Sequence, residues 1–273
     1  MVIVNQKVAP GGTDKVTGSI AHARDILVCL SSGINKVSDI ARQTSFSKST
    51  VHRVLKLLEQ SQMAVQDAIN RRYYLGPLVM KLSSNALTSH QRLITCADTE
   101  MKRLSYATEE SVVLDIMMGL KYMLLYEIPS RHNLKLSLEA SRPNALYTSF
   151  YAGASVKVML AQLDDNKLKK LIEIINIPRV TERTVTDKKV LLSQILDVRK
   201  VGYAVSRSER ILGGFCVAVP VFNYVLPVSL SVAGPEIRML PKVKSIVNEL
   251  RASTLKISKN IALMFGNGNN KPL

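Results

Sequence analysis

The chain has 273 residues, of which 47% are hydrophobic and 21% charged, and its formal net charge at pH 7 is +16. This composition excludes a disordered chain and suffices for two folded domains of ordinary size. The positive charge favours a polyanionic partner, nucleic acid before an anionic membrane surface, but it is spread along the chain and does not locate a binding face.

Three cysteines, Cys29, Cys96 and Cys216, are odd in number, far apart and not in metal-ligand spacing, which argues against a disulfide framework. They suit the reducing cytoplasm. The four histidines do not cluster either, so neither a metal site nor a cofactor is expected. Residues 1–18 lack the basic start and apolar segment of a signal peptide and are expected to form a loose tail, as are residues 266–273.

Residues 19–77 are predicted to form three helices followed by a β-ribbon. The helices are expected at residues 20–30, 37–43 and 48–60, with Ser19 and Ser47 as caps of the first and the third. In the third helix, apolar residues at helical spacing predict one buried face: Val51, Val54, Leu55 and Leu58. Two short strands, at 63–65 and 73–75, flank a polar tip. This order is typical of a winged helix-turn-helix domain, which binds DNA.

The face of the third helix opposite its apolar stripe is predicted to enter the major groove. Around it lie side chains that donate hydrogen bonds, with no acid among them: Ser47, Lys48, Ser49, Thr50, His52, Arg53 and Lys56. The wing is predicted to contact the DNA backbone or the minor groove through Arg71, Arg72 and Tyr73. A solvated basic helix face is the alternative, and any one of these residues taken alone would fit it better.

A break at Gly76 and Pro77 is predicted to start a linker, residues 78–90, with one helix at 78–87 and a second at 93–107. Residues 91–265 have the pattern of an α+β domain with a largely antiparallel sheet. Strands are expected at 111–118, 121–128, 135–139, 203–206, 215–222 and 225–233, and helices at 154–163, 167–174, 190–201 and 242–264.

Residues 215–234 form an apolar run about as long as a membrane-spanning helix. Two prolines, Pro220 and Pro227, many valines, and a polar break at Asn223 argue against such a helix. Two strands joined by a turn explain the run better.

The sequence resembles the IclR family of bacterial transcriptional regulators over roughly residues 19–265. KSTVHRVL at residues 48–55 matches the pattern of the family's recognition helix, and the wing ends in YYLG at 73–76. In the second half, VKVMLA at 156–161, RKVGYA at 199–204, CVAVP at 216–220 and LSVAGP at 230–235 match further family markers. The resemblance implies a winged helix-turn-helix head, a linker helix and a GAF-like effector-binding domain. It also implies homodimers or homotetramers that bind palindromic operators and that associate with the bacterial nucleoid when bound.

The resemblance further implies that the C-terminal domain binds a small-molecule effector, often a carboxylate or an aromatic acid. The positions that correspond to the family's ligand site are Ala154, Ser155, Ser206, Glu209, Cys216, Ser231 and Ala233. Two of them depart from the family's polar pattern, because Ser206 stands where an acid is frequent and Ala233 where serine is frequent. Simpler roles are open for three: an inert buried thiol for Cys216, a solvated charge for Glu209 and a helix start for Ser155.

Two other functions remain open from the sequence. Ser155 and Lys157 form a Ser-x-Lys sequence that an enzyme could use as nucleophile and base, although no nucleotide-binding or G-x-S-x-G motif accompanies it. A regulator without a ligand, whose C-terminal domain serves only oligomerisation, is the second alternative.

Overall fold

A computed structural model describes residues 18–133, 135–136, 148–149 and 152–265. The chain divides between His90 and Gln91 into two compact units. We call them the N-terminal unit, residues 18–90, and the C-terminal unit, residues 91–265.

The N-terminal unit has the predicted order of three helices and a β-ribbon. Its elements are α1 (Ser19–Ser31), α2 (Val37–Thr44), α3 (Lys48–Gln60), β1 (Ala64–Gln66) and β2 (Tyr73–Leu75). The two strands pair antiparallel. All four residues of the predicted apolar stripe of α3 are buried. They share a core with apolar residues of α1 and α2, such as Ile26 and Ile40. The apolar spacing of α3 therefore fixes which of its faces stays outside.

Two local features set the approach of α2 to α3. Ser45 adopts a left-handed conformation, with φ 60°, and so closes the turn where many such motifs carry glycine. Ser47 caps α3 as predicted, because its Oγ accepts a hydrogen bond from the N–H of Thr50. The predicted cap of α1 is wrong: Ser19 is already the first helical residue, and Gly18 at the cap position has no side chain to accept a bond.

A single long helix, α4 (Pro77–Thr108), replaces the two helices predicted at 78–87 and 93–107. Pro77 starts it, which suits a residue whose missing N–H has no partner in the first turn. None of residues 88–92 is glycine or proline, so nothing in the backbone chemistry ends a helix there. A run of polar residues is a sign of solvent exposure and does not by itself end a helix.

The C-terminal unit is built on a six-stranded sheet. Its strands are β3 (Ser111–Met118), β4 (Lys121–Ile128), β5 (Thr148–Ser149), β6 (Ala204–Arg207), β7 (Gly214–Val221) and β8 (Val228–Pro235). Their order is β5-β4-β3-β8-β7-β6, and every neighbouring pair is antiparallel. The helices are α5 (Ala154–Ala161), α6 (Asp165–Ile174), α7 (Lys188–Val201), α8 (Glu236–Met239) and α9 (Val243–Phe265), with a 3-10 turn at Leu240–Lys242.

Most predicted elements of this unit are confirmed, with small shifts at their ends. β7 and β8 form the predicted hairpin in place of a membrane helix, and no helix among the described residues has the length and apolar character to cross a membrane. The short elements β5 and α8 were not predicted, and the strand expected at 135–139 falls largely outside the described residues.

Each face of the sheet buries a separate apolar core. Alternation along β3 directs Val112, Leu114 and Ile116 into a core that includes residues of α4 and α9. The opposite face packs against α5, α6 and α7. Val113 and Asp115, which alternate with the first set, are therefore turned to the side of the sheet where α5 begins.

Candidate functional site

The outer face of α3 carries the donors that the sequence predicts. Lys48, Ser49, His52, Arg53 and Lys56 are exposed, whereas the opposite stripe is buried. At the start of the helix, the hydroxyl of Ser47 lies 2.8 Å from those of Ser49 and Thr50. Thr50 is half-buried, so its hydroxyl acts within this cap rather than on the outer face.

The wing between β1 and β2 exposes Arg71 and Arg72 but not Tyr73. Tyr73 is only 2% exposed and belongs to the core of the N-terminal unit, so the expectation that its side chain contacts DNA is wrong. Side chains alternate along β2, and Tyr74 is the exposed neighbour. The burial of Tyr73 could have been predicted from the sequence, because Tyr73 and Leu75 must point to the same side of β2.

All seven predicted effector residues line one cavity of about 80 Å³ in the C-terminal unit. Three of them form a row across adjacent strands, because Ser206 of β6 is paired with Cys216 of β7, and Cys216 with Ala233 of β8. Ala154 and Ser155 come from the first turn of α5. The hydroxyls of Ser155 and Ser231 lie 3.3 Å apart and join the helix start to the sheet.

Cys216 is a protonated thiol in this cavity. Burial is the main cause that raises its pKa to about 12, against a smaller lowering by a hydrogen bond with Ser231. A thiol with this pKa is not a nucleophile at neutral pH. Cys216 therefore contributes a weakly polar wall to the cavity.

Glu209 reaches the cavity but its charge is already balanced. Its Oε1 accepts a hydrogen bond of 2.5 Å from Nζ of Lys157, and its Oε2 accepts one of 3.1 Å from the N–H of Gly153. The side chains of Lys157 and Glu209 are 4% and 9% exposed, so the pair is buried. Glu209 thus occupies part of the start of α5, where it accepts from the N–H of Gly153.

Two charged residues that face the cavity beside Glu209 were not predicted from the sequence, namely Arg210 and Asp115. Among the described residues that line the cavity, Arg210 is the only cation. Burial lowers its pKa to about 10, while Asp115 opposes this shift, so the guanidinium remains charged at neutral pH. It lies over the ring of Tyr122, 5.6 Å from the centroid.

Backbone features let both charged residues face the cavity. The pairing of β3 with β4 shifts by one residue between Leu114 and Asp115, but the extra residue is Leu125 on β4, so the alternation along β3 continues and turns Asp115 to the cavity side. Gly153 adopts φ 102°, and a Cβ on it would lie 3.2 Å from Cδ of Arg210. A signal for Asp115 was present in the sequence, since an acid interrupts the apolar strand SVVLDIMM.

The Ser-x-Lys sequence does not form a catalytic pair. Ser155 contacts Ser231, while Lys157 is bound to Glu209. Residues two apart on a helix point to different sides, which explains the separation. Within the described part of the chain, no group of three or more histidine, cysteine, aspartate or glutamate residues is arranged to hold a metal ion.

Comparison with protein families identifies both units. The family model for the C-terminal part of the bacterial transcriptional regulator IclR matches residues 85–259, and that for the IclR helix-turn-helix domain matches residues 19–68. The chain belongs to the IclR family. It is therefore a DNA-binding transcriptional regulator and not an enzyme, since its relatives are regulators of this family.

Relatives and solved structures extend the match over most of the chain. The HTH-type transcriptional regulator KdgR of Escherichia coli is 31% identical over 225 residues, which cover 81% of this chain and 84% of KdgR. The crystal structure of Thermotoga maritima IclR, 22% identical, has a TM-score of 0.69 and covers 89% of this chain and 98% of that one. An IclR homolog from Microbacterium hydrocarbonoxydans, complexed with 4-hydroxybenzoate, is 21% identical with a TM-score of 0.69, over 90% and 100% of the two chains.

Proposed function

We propose that this IclR-family regulator binds a palindromic operator through α3 and the wing, and that a small organic or aromatic acid in the cavity changes its operator affinity. In this proposal residues 19–77 are the DNA-binding head, 78–90 the linker and 91–265 the effector-binding domain. The observation that carries the effector part is the meeting of all seven predicted residues and Arg210 in one cavity.

The walls of the cavity favour an acid as the effector. The guanidinium of Arg210 can donate two parallel hydrogen bonds to a carboxylate. It already interacts with Asp115, so a bound acid would share it, while Glu209 is bound to Lys157. The hydroxyls of Ser155, Ser206 and Ser231 supply neutral hydrogen bonds around it. The 4-hydroxybenzoate complex of the Microbacterium homolog supports the same class of ligand.

The size of the cavity favours a small effector. A buried water needs roughly 10–15 Å³ of comparable space, and the cavity between the described walls offers about 80 Å³. This corresponds to roughly five to eight water-sized groups, the scale of a short chain or a single ring.

The first test is a thermal-shift screen of the full chain with small carboxylates, including 4-hydroxybenzoate. Each acid is compared with its own primary amide. We expect at least one acid to raise the unfolding temperature and its amide to fail, because the amide carries no charge for Arg210. If no carboxylate in the screen stabilises the chain, the effector part of the proposal is wrong and a regulator without an acid ligand is favoured.

Operator binding is expected to depend on two arginines in different ways. Arg53→Ala should weaken binding to the operator by about 1–3 kcal/mol, because Arg53 lies on the exposed face of α3 and reads base edges. Arg71→Ala should weaken binding to all sequences alike and reduce the salt slope by about one, since a wing arginine contacts phosphate.

These effects can be measured by fluorescence anisotropy at several salt concentrations. The control is Arg183→Ala, which removes an exposed arginine from the C-terminal unit and should change neither quantity. A folded Arg53→Ala variant that binds the operator like the wild type would contradict the assignment of α3 as the recognition helix.

The protein is also proposed to act as a homodimer or a homotetramer. A palindromic operator presents its half-site twice, and two symmetry-related heads are needed to read both copies. Light scattering at operator-binding concentrations should give at least twice the chain mass of 30.2 kDa. A mass equal to that of one chain would show that the assembly is wrong.

A further inference from the structure

The tip of the wing carries one fully exposed apolar side chain. Ile69 is 95% exposed and lies in the turn between β1 and β2. It is followed by Asn70 and then by the two exposed arginines Arg71 and Arg72. Single exposed apolar residues are common on proteins, so the surroundings of Ile69 decide whether it has a use.

The turn that presents Ile69 is held by several hydrogen bonds. The carboxylate of Asp67 accepts from the N–H groups of Ile69 at 2.8 Å and Asn70 at 3.1 Å, and from the side-chain amide of Asn70 at 2.9 Å. The N–H groups of Asn70 and Ile69 also hold the pKa of Asp67 below its ordinary value. The carboxylate is thus charged at neutral pH and the turn remains closed.

The second half of the turn is fixed in the same way. The side-chain oxygen of Asn70 accepts from the N–H of Arg72 at 2.9 Å, and the carbonyl of Arg72 accepts from the N–H of Asp67 at 2.8 Å. Arg71 has the left-handed φ of 60° that reverses the chain. Ile69 is therefore presented on a preformed turn, and little conformational entropy is lost when it is buried against a partner.

An apolar tip beside two cations matches one surface of duplex DNA. Phosphates line the edges of the minor groove and attract the arginines, whereas sugars and base edges form its walls and floor. Isoleucine is among the apolar side chains that proteins insert there. A helix in the major groove with an arm in the adjacent minor groove is a known arrangement, and α3 and the wing belong to one compact unit.

We propose that Ile69 inserts into the minor groove beside the major-groove site of α3 and selects A·T pairs there. In that groove a G·C pair exposes the 2-amino group of guanine, which A·T pairs lack. Ile69 has no acceptor for this amino group, so burying the amino group beneath the isoleucine side chain is unfavourable. This inference rests on the proposed binding of operator DNA by the head.

The experiment begins with selection of duplexes from a random pool by the full chain. The selected sequences should carry A·T pairs beside the recognised half-sites. Replacing adenine by 2,6-diaminopurine in a selected duplex adds only an amino group in the minor groove, so contacts of α3 in the major groove are kept. The affinity of the wild type should fall about fivefold or more, the factor that corresponds to one unsatisfied buried donor.

Three variants separate the role of Ile69 from a general effect of the modified base. Ile69→Ser should bind the unmodified duplex about fivefold or more weakly and respond little to diaminopurine, while Ile69→Val should retain both properties. The matched control is Ile237→Ser, which removes an 83% exposed isoleucine from the C-terminal unit and should behave like the wild type.

The negative outcomes of this experiment distinguish the insertion of Ile69 from DNA binding by the head. If the wild type binds a selected duplex and Ile69→Ser binds equally well, or keeps the full sensitivity to diaminopurine, the insertion of Ile69 is wrong and DNA binding by the head stands. Selected duplexes with G·C pairs beside the half-sites would also contradict it. If the wild type selects no duplex at all, the proposed operator binding itself fails.

Discussion

Replacing Glu209 by alanine is expected to lower the free energy of unfolding by about 3–5 kcal/mol. The change leaves the ammonium of Lys157 uncompensated in a site where only 4% of its side chain is exposed. It also removes the acceptor for the N–H of Gly153 at the start of α5. Urea unfolding of the full chain, followed by circular dichroism, measures the loss.

Two further variants show whether the loss comes from the buried charge. Asp197→Ala breaks an exposed pair with Lys200 and should change the stability by about 1 kcal/mol or less. Replacing both members of the buried pair, by Lys157→Met together with Glu209→Leu, should recover most of the loss, because no lone charge is left. A Glu209→Ala variant as stable as the wild type would contradict the stabilising role of this buried pair.

Replacing Arg210 by methionine is expected to weaken binding of the effector acid by about 2–5 kcal/mol. Methionine keeps much of the length of the side chain but leaves the carboxylate without a cation in a site where the guanidinium is desolvated. Isothermal titration with the acid found in the thermal-shift screen measures the loss, and the amide of that acid should show no further loss.

The control for this prediction lies three residues earlier, at the end of β6. Arg207 pairs at the surface with Glu236, so Arg207→Met removes an arginine that does not line the cavity. It should bind the acid with the affinity of the wild type. Equal binding by Arg210→Met and the wild type would mean that another group holds the carboxylate.

Local chemistry made part of the fold predictable. α3 begins and ends where the sequence predicted, because Ser47 supplies a cap and the spacing of Val51, Val54, Leu55 and Leu58 admits one buried face. β3 and β4 have their predicted ends for a similar reason: their apolar runs stop at the turn around Gly119. Where no residue enforced a boundary, as at positions 88–92 within α4, the prediction was wrong.

The cavity depends on contacts between distant parts of the chain, which local sequence patterns do not predict. Its row of Ser206, Cys216 and Ala233 was proposed through the family resemblance, and the strand register brings these three together. Arg210 was missed because an arginine in a loop is usually solvated, and only the fold of the loop beside Gly153 buries it. Tyr73 was misassigned because two arginines precede it in the chain, although its position on β2 turns it inward.

One small acid, bound in the C-terminal unit, is proposed to change how tightly the head binds DNA. This coupling can be measured as the affinity of the full chain for a selected duplex, with and without a saturating acid from the thermal-shift screen. We expect the affinity to change about 5- to 150-fold, the usual range of coupling between two sites, and we expect Arg210→Met to show no change at the same acid concentration. An acid that stabilises the chain and binds through Arg210, yet leaves the DNA affinity of the wild type unaltered, would contradict this coupling.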